Sequence, residues 1–168
     1  MTADPRQYSP RPALQTLVSH QVAFVVIGGV AAGLLGSPMV TFDIDICYAR
    51  DPENLERLAA ALQELHATLR GVDDDVPFLL DAETLRAGDC FTFSTDVGPL
   101  DILGTPAGSR GYEDLIAGAV EMDVGGFTIM VTSIDDLIRM KRAAGRPKDL
   151  LAIEELEALR EEIEGISE

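Results

Sequence analysis

An uninterrupted run of β-prone apolar residues, Ala-Phe-Val-Val-Ile, occupies positions 23–27. A strand with one face in water alternates apolar and polar residues, whereas a strand buried on both faces does not. The run therefore predicts a strand in the interior of the sheet of an α/β domain. The chain has 168 residues, which is enough for one such domain with a substantial core.

Turn and capping signals divide the rest of the chain into helices and strands. A Pro-rich start predicts a flexible N-terminal tail over residues 1–12, followed by a single α/β (α+β) domain over residues 13–168 with a mixed sheet flanked by helices. Helices are predicted at 13–20, 30–35, 51–71, 112–120, 134–144 and from Pro147 onward, and strands at 23–27, 40–48, 91–95, 100–103 and 127–131. Residues 72–88 give no clear signal and are predicted to be a mobile loop.

The net charge of −16 restricts the classes of partner. Thirteen Lys and Arg stand against 29 Asp and Glu, which argues against a surface that coats nucleic acid or an anionic membrane. A small basic site inside an acidic shell stays open. The longest apolar stretch, residues 22–35, is interrupted by glycines and is too short to span a bilayer.

The two cysteines, Cys47 and Cys90, lie far apart in the sequence and outside any zinc-binding spacing. Neither a disulfide framework nor a zinc site is therefore expected, and a reducing cytoplasm is the predicted location. Cys47 shares a strand face with Asp43 and Asp45, so it could line a site there, but a small core residue is the favoured prediction.

Three aspartates interrupt predicted strands. Asp43 and Asp45 are two residues apart on one strand and so point to the same face, and Asp101 interrupts the strand Leu-Asp-Ile-Leu. Carboxylates on adjacent half-buried strands repel one another unless a cation lies between them, and oxygen ligands suit Mg²⁺ or Mn²⁺. Two such ions would hold a phosphoryl-transfer reaction between them. The structural alternative is that Asp43 and Asp45 form the polar face of an edge strand.

Gly28 and Gly29 end the buried strand and open the next helix. A helix N-terminus offers backbone N–H groups and a positive dipole to a phosphate, and glycine lets the ligand approach closely. Glycines also end strands for structural reasons alone. A glycine pair, a helix, an Asp-x-Asp strand and a third strand aspartate in this order are more specific than any one of these features.

Five of the thirteen basic residues lie within positions 139–148, a segment without acidic residues. Lys141 continues the apolar stripe of the predicted helix, so its side chain either extends to the rim or reaches into a site. Arg139 and Arg142 fit a solvated face near a helix C-terminus, where positive charge is favourable. We predict phosphate contacts for the other three cations, Lys141, Arg146 and Lys148.

Together these residues resemble the nucleotidyltransferase superfamily of DNA polymerase beta. The resemblance rests on Gly28-Gly29 after a buried strand, on the segment Thr41-Phe-Asp-Ile-Asp-Ile and on Asp101. Residues 133–150 are in addition similar to small bacterial nucleotidyltransferase-like proteins related to the abortive-infection AbiEii toxins. The likeness spans residues 22–157.

The resemblance implies a minimal nucleotidyltransferase fold with C-terminal helices and a role for each matched residue. The implied catalytic and metal-binding residues are Asp43, Asp45 and Asp101, the last helping to activate the attacking hydroxyl. The implied nucleotide-binding residues are Gly28, Gly29, Thr41, Lys141, Arg146 and Lys148. Mg²⁺ (or Mn²⁺) is the implied cofactor and a nucleoside triphosphate the implied substrate. Asp149 also matches a family acid, but a carboxylate in the first turn of a helix is the favoured explanation.

Two main functions follow. The first is Mg²⁺-dependent transfer of a nucleoside monophosphate to a hydroxyl acceptor, which the sequence leaves open as RNA, protein or a small molecule. The alternative is a non-catalytic member that binds a partner protein, for example in a toxin–antitoxin or phage-defence pair, which the small size and acidic charge favour. A nucleotide or metal binder without transfer is a third hypothesis. Met39 stands where many relatives carry Arg, which puts the substrate more than the fold in question.

Overall fold

The computed structural model describes residues 9–38, 41, 43–73 and 75–166. These residues form seven helices and seven strands. The helices are α1 (Arg11–Ser19), α2 (Gly28–Leu35), α3 (Pro52–Glu64), α4 (Ala82–Ala87), α5 (Tyr112–Gly118), α6 (Ile134–Ala144) and α7 (Pro147–Ile166). The strands are β1 (Phe24–Ile27), β2 (Ile44–Tyr48), β3 (Thr68–Leu69), β4 (Cys90–Thr95), β5 (Gly98–Leu103), β6 (Val120–Asp123) and β7 (Thr128–Val131).

The strands of the described residues form one sheet in the order β3-β4-β5-β2-β1-β7-β6. It is mixed, as predicted, because β2 runs parallel to β5 and β1 parallel to β7, whereas the other neighbours are antiparallel. All four residues of β1 are buried, and strands flank it on both sides. The unalternating apolar run therefore marks an interior strand, as predicted.

The core joins this central part of the sheet to the helices. Leucines of α3, spaced by three or four residues, are fully buried against side chains such as Val26 and Ile46 of the central strands. On α6 and α7, Leu137 and Leu156 extend the same core. The packing holds β1, β2, β5 and α6 in fixed relation, which matters because the candidate site lies among them.

Sequence-predicted helix ends are confirmed where a capping residue marks them. The Asp51 carboxylate accepts from the Asn54 amide at the start of α3, and the Ser133 hydroxyl accepts from the Asp136 amide at the start of α6. Gly145 ends α6 in the left-handed conformation that glycine adopts without strain.

The prediction that one helix continues to Gly71 is wrong. Helix α3 ends at Glu64, and His66 takes a positive φ of 53° before the chain enters β3. Leu69 pairs with Phe93 in the sheet and is not part of the helix. The leucine spacing of a helix continues past the end of α3 by coincidence, because Leu65 is the C-cap of α3 whereas Leu69 belongs to β3.

Other elements also differ from the predictions. The segment predicted to be a mobile loop at 72–88 contains α4, a six-residue helix capped by Asp81 and anchored by the buried Leu85. The helix predicted through Val120 ends at Gly118, and Val120 begins β6 against β7. Helix α1 begins at Arg11, within the predicted tail.

Several predictions fall on residues outside the described ranges. They concern positions 1–8 of the predicted tail, the departure at Met39, two positions of the predicted strand 40–48, and Asp74 of the predicted loop. Strand β2 as described begins at Ile44, so Asp43 directly precedes it. Among the described helices, none has the length and apolar character needed to cross a membrane.

Candidate active site

A cavity of about 550 Å³ opens where β1 ends and β2 begins, beneath α6 and the start of α7. Its volume lies in the range of small-molecule and cofactor sites. All nine site residues predicted from the sequence line it: Gly28, Gly29, Thr41, Asp43, Asp45, Asp101, Lys141, Arg146 and Lys148. The fold therefore brings the carboxylates, the glycine pair and the basic residues to one place.

Asp45 and Asp101 occupy paired positions of the two parallel strands β2 and β5. Burial, the negative charge of Asp101 and a hydrogen bond between the two side chains together raise the pKa of Asp45 to about 7, and Asp43 adds to the effect. Lys141 partly offsets this increase. The carboxylates thus form an anionic cluster that the protein compensates only in part.

Asp43 is exposed and lies just before β2, not within the strand as predicted. It still lines the cavity, and its amide lies 3.5 Å from the Thr41 hydroxyl. The Asp-x-Asp spacing therefore places both side chains at one cavity although only Asp45 is a strand residue.

The glycine pair is required by the close approach of the β1–α2 turn to its neighbours. Antiparallel pairing sets Ile27 opposite Asp45, so Gly28 follows beside that carboxylate. Gly28 has a φ of +70°, and a Cβ there would overlap Asp45 Oδ2. A Cβ on Gly29 would lie 2.8 Å from Thr41 Cβ. Helix α2 has no side-chain cap at its start, so its first N–H groups are available to an anion.

The donor set fits a hard divalent cation. In the described part of the chain, no three His, Cys, Asp or Glu side chains are already arranged to hold a metal ion. Asp45 and Asp101 nevertheless supply adjacent oxygen ligands, and Asp43 lines the same cavity. Their mutual repulsion, visible in the raised pKa of Asp45, is the condition that a bound cation would relieve.

The basic side of the cavity is organised by Asp149, whose side chain is fully buried. Its carboxylate accepts from Arg146 Nε at 2.6 Å and lies 3.5 Å from Lys141 Nζ. Hydrogen bonds from Arg146 lower the pKa of Asp149, so the carboxylate is charged and fixes both cations at the cavity wall. Asp149 lies in the first turn of α7, as its favoured explanation required, but it also positions the predicted phosphate ligands.

Arg139 and Arg142 do not line the cavity. The Arg139 guanidinium contacts Asp114 and Asp136, and Arg142 pairs with Glu157 across α6 and α7. Arg142 is exposed, as predicted for a solvated helix face, whereas Arg139 is half-buried between its two carboxylate partners. Lys148 is exposed at the cavity rim.

Three residues of the β3–β5 region were not predicted. Cys90 and Thr92 line the cavity, and Arg70 Nη2 lies 2.6 Å from Asp101 Oδ1. The sequence held no signal for Arg70, since the leucine pattern placed it in a helix. Cys47 is buried and donates to the Gly104 carbonyl, as expected for a core residue.

The sequence matches no protein-family model and no curated protein. The fold does match solved structures. The lincosamide antibiotic adenylyltransferase LnuA, in its lincomycin-bound form, matches with a TM-score of 0.59 at 14% identity, over 89% of this chain and 94% of that one.

Two further structures match over nearly the whole chain. A Thermotoga maritima protein proposed to be a nucleotidyltransferase gives a TM-score of 0.52 at 18% identity, covering 95% of this chain and 98% of that one. The antibiotic-resistance factor ANT(2'')-Ia gives 0.50 at 16% identity, covering 93% and 91%. Identities this low show the fold, and the chain therefore has the mixed α/β fold of nucleotidyltransferases, as predicted.

Proposed function

We propose that this protein transfers a nucleoside monophosphate from a nucleoside triphosphate to a hydroxyl group, with Mg²⁺ or Mn²⁺ bound by Asp43, Asp45 and Asp101. The observation that carries the proposal is the cavity itself. It sets the paired carboxylates of β2 and β5 next to an uncapped glycine-rich helix start and within reach of cations fixed by Asp149. The fold shared with the adenylyltransferase LnuA supports the same reaction class.

In the proposed reaction, backbone N–H groups and basic side chains bind the phosphates of the nucleotide. Backbone N–H groups at Gly28 and Gly29, with Thr41 alongside, bind the triphosphate at the start of α2. Lys141 and Arg146 stabilise the negative charge that develops on the departing pyrophosphate, and Asp149 keeps both in place without reorganisation. Lys148, exposed at the rim, adds a further positive charge along the same path.

The three aspartates are the second half of the site. A bound divalent ion would supply charge neutralisation at the α-phosphate and a template for the reacting oxygens. Asp43 and Asp45 would hold it from the β2 side of the cavity and Asp101 from β5. Asp101 also accepts or orients the proton of the acceptor hydroxyl, which attacks the α-phosphorus as the bond to pyrophosphate breaks.

Among the acceptors left open by the sequence, a small molecule is favoured over RNA or protein. LnuA was solved with lincomycin bound, and ANT(2'')-Ia is an antibiotic-resistance factor. A cavity of about 550 Å³ suits a nucleotide with a compact acceptor, and the net charge of −16 disfavours a polyanionic one. Two free cysteines and a need for nucleoside triphosphates favour the cytoplasm as the location.

The test is an incubation of the protein with α-labelled nucleoside triphosphates, Mg²⁺ and fractions of a cell extract separated by size. We expect wild type to form a new labelled product, resolved from the nucleotide by chromatography, with the small-molecule fraction, and Asp45→Asn to form none. The matched control is Asp96→Asn, because Asp96 is an exposed carboxylate that contacts His66 on the surface and does not line the cavity. Formation of the same labelled products by wild type and Asp45→Asn, or of none by wild type, would contradict the proposal.

A second candidate function is binding of a partner protein, as in a toxin–antitoxin pair of the AbiEii-related kind. The favouring observation is an apolar surface on α7, where Leu151 is 69% exposed and Leu150 54%. Copurification from the native host would test it. Retention of a specific partner by a variant that carries both Asp43→Ala and Asp45→Ala would support partner binding independent of catalysis, and loss of the partner would count against it.

A further inference from the structure

The β3–β5 side of the sheet carries a row of four residues in register. Arg70 follows β3 and its amide donates to the Thr92 carbonyl at 2.9 Å. Thr92 pairs with Asp101, and Asp101 pairs with Asp45. Residues at paired positions project to the same face, so the row leads from the edge of the sheet to the carboxylate cluster.

Arg70 reaches along this row to Asp101. Strands β3 and β5 are two strand spacings apart, roughly 9–10 Å, and only a long side chain from the end of β3 can reach a side chain of β5 across that separation. One nitrogen, Nη1, donates to the Phe93 carbonyl at 3.2 Å, and the other, Nη2, donates to Asp101 Oδ1 at 2.6 Å. The pair is partly shielded from water, with Asp101 17% exposed and Arg70 35% exposed. The contact with the Phe93 carbonyl anchors the rigid guanidinium, and its other nitrogen holds the carboxylate of Asp101.

A carboxylate has two oxygens with about four acceptor positions, so Arg70 on Oδ1 leaves Asp101 able to accept a further partner. Orientation of a metal-binding side chain by an outer hydrogen bond is a general feature of metal sites. A positive group is also needed here for balance, because Asp45 and Asp101 stand side by side with Asp43 close enough to raise the pKa of Asp45. Removal of Arg70 would leave the cluster with less compensation and Asp101 free to rotate.

We propose that Arg70 is a positioning residue of the site, which holds Asp101 by one oxygen so that the carboxylate presents its remaining positions to a divalent cation. The inference rests on the proposed function, since it treats Asp101 as a cation ligand. It assigns Arg70 no contact with nucleotide or acceptor. Its effect is on the geometry and charge of Asp101 alone.

Arg50 offers a matched control within the same chain. It also combines backbone and carboxylate contacts, with Nη1 donating to the Gly88 carbonyl at 2.8 Å and lying 3.4 Å from Asp89 Oδ1. Its exposed fraction of 34% equals that of Arg70 within a percentage point. Arg50 does not line the cavity, so a purely structural loss at Arg50 should not change cation binding.

The experiment measures binding of Mn²⁺ by electron paramagnetic resonance, with Mn²⁺ alone and with an α,β-methylene nucleoside triphosphate. We expect Arg70→Gln to raise the Kd of Mn²⁺ about 10- to 100-fold, the range for lost outer hydrogen bonds in metal sites. Arg70→Lys, which keeps the charge but lacks the fork, should give a smaller increase. Arg50→Gln should leave the Kd within about twofold. Circular dichroism and urea midpoints establish whether each variant is folded. If Arg70→Gln does not fold, the comparison of Arg70→Lys with wild type tests the proposal.

The outcomes separate the two proposals. If wild type binds Mn²⁺ and Asp101→Asn loses it, but the Arg70 variants bind as wild type does, the positioning role is wrong and the proposed function stands. Tighter binding by Arg70→Gln would also overturn the inference, because the guanidinium would then compete with the cation. If wild type binds no Mn²⁺ in either condition, both the metal-dependent function and the role of Arg70 fail.

Discussion

Asp45 and Asp101 lie opposite each other in the parallel pairing of β2 and β5, so their carboxylates are neighbours on adjacent strands at the wall of the cavity. Such an arrangement lowers the stability of the metal-free fold, because burial and like charge both disfavour ionised carboxylates. The two carboxylates nevertheless lie in the centre of a sheet whose neighbouring positions are apolar. This conflict between stability and placement is typical of functional sites.

The first prediction concerns that cost. In EDTA at pH 8, Asp45→Asn should raise the free energy of unfolding by about 1–3 kcal/mol, because it removes a half-buried negative charge next to Asp101. Urea denaturation measures the difference. Asp96→Asn, at an exposed site, should change the same quantity by less than about 0.5 kcal/mol. A destabilised Asp45→Asn would show that the carboxylate cluster is not repulsive in the absence of metal.

The second prediction separates two glycines of one helix. Gly28→Ala should destabilise the protein by about 2–4 kcal/mol, because the residue has a positive φ and its Cβ would overlap Asp45 Oδ2. Gly33→Ala should instead stabilise by about 0.5–1 kcal/mol, since no atom lies within 4 Å of the added Cβ and alanine favours helix. Thermal and urea unfolding test both. Equal effects of the two substitutions would contradict the described geometry of the β1–α2 turn.

The third prediction is a pH dependence at Asp149. Its pKa is lowered from 3.8 by hydrogen bonds from Arg146, so its contribution to stability is present above pH 3.8 and is lost as the pH falls through the lower folded-state value. Asp149→Asn should therefore lower the free energy of unfolding at pH 7 by about 1–3 kcal/mol. The gap between wild type and variant should narrow below pH 4. A gap that stays constant from pH 7 to pH 3 would exclude an ionised, paired carboxylate.

The fourth prediction tests the basic side of the cavity. Lys141→Met should weaken the apparent affinity for a nucleoside triphosphate about 10- to 100-fold, as expected for loss of a charge-assisted phosphate contact. Arg142→Met is the matched control, because Arg142 is on the same helix but pairs with Glu157 and does not line the cavity. Nucleotide titration by calorimetry measures both. A similar loss in the two variants would indicate a general charge effect.

Much of the fold could be predicted because its signals are local. The unbroken apolar run specified an interior strand, and the Asp51 and Ser133 caps specified two helix starts. The end of α3 could not be predicted, because Leu69 lies at the spacing expected of a helix although it belongs to a strand. Helix α4 is only six residues long, which is too short for a periodic signal.

The individual residues of the candidate site could be predicted, but the contacts between them could not. Types and spacing identified the aspartates, the glycine pair and Lys141 as candidates, and the fold brings them to one cavity. The contacts that hold them depend on partners far apart in sequence. Arg70 and Asp101 are 31 residues apart and meet only because β3, β4 and β5 are adjacent. No local pattern in a single sequence carries that information.

Two labels on the same nucleotide distinguish nucleotidyl transfer from other phosphate chemistry. With a purified small-molecule acceptor and Mg²⁺, we expect label from the α-phosphate to become attached to the acceptor and label from the γ-phosphate to be released as pyrophosphate. Asp101→Asn should lower the rate at least about 100-fold. Transfer of the γ-label, release of inorganic phosphate alone, or an α-label transfer that Asp101→Asn leaves unchanged would contradict the proposed function.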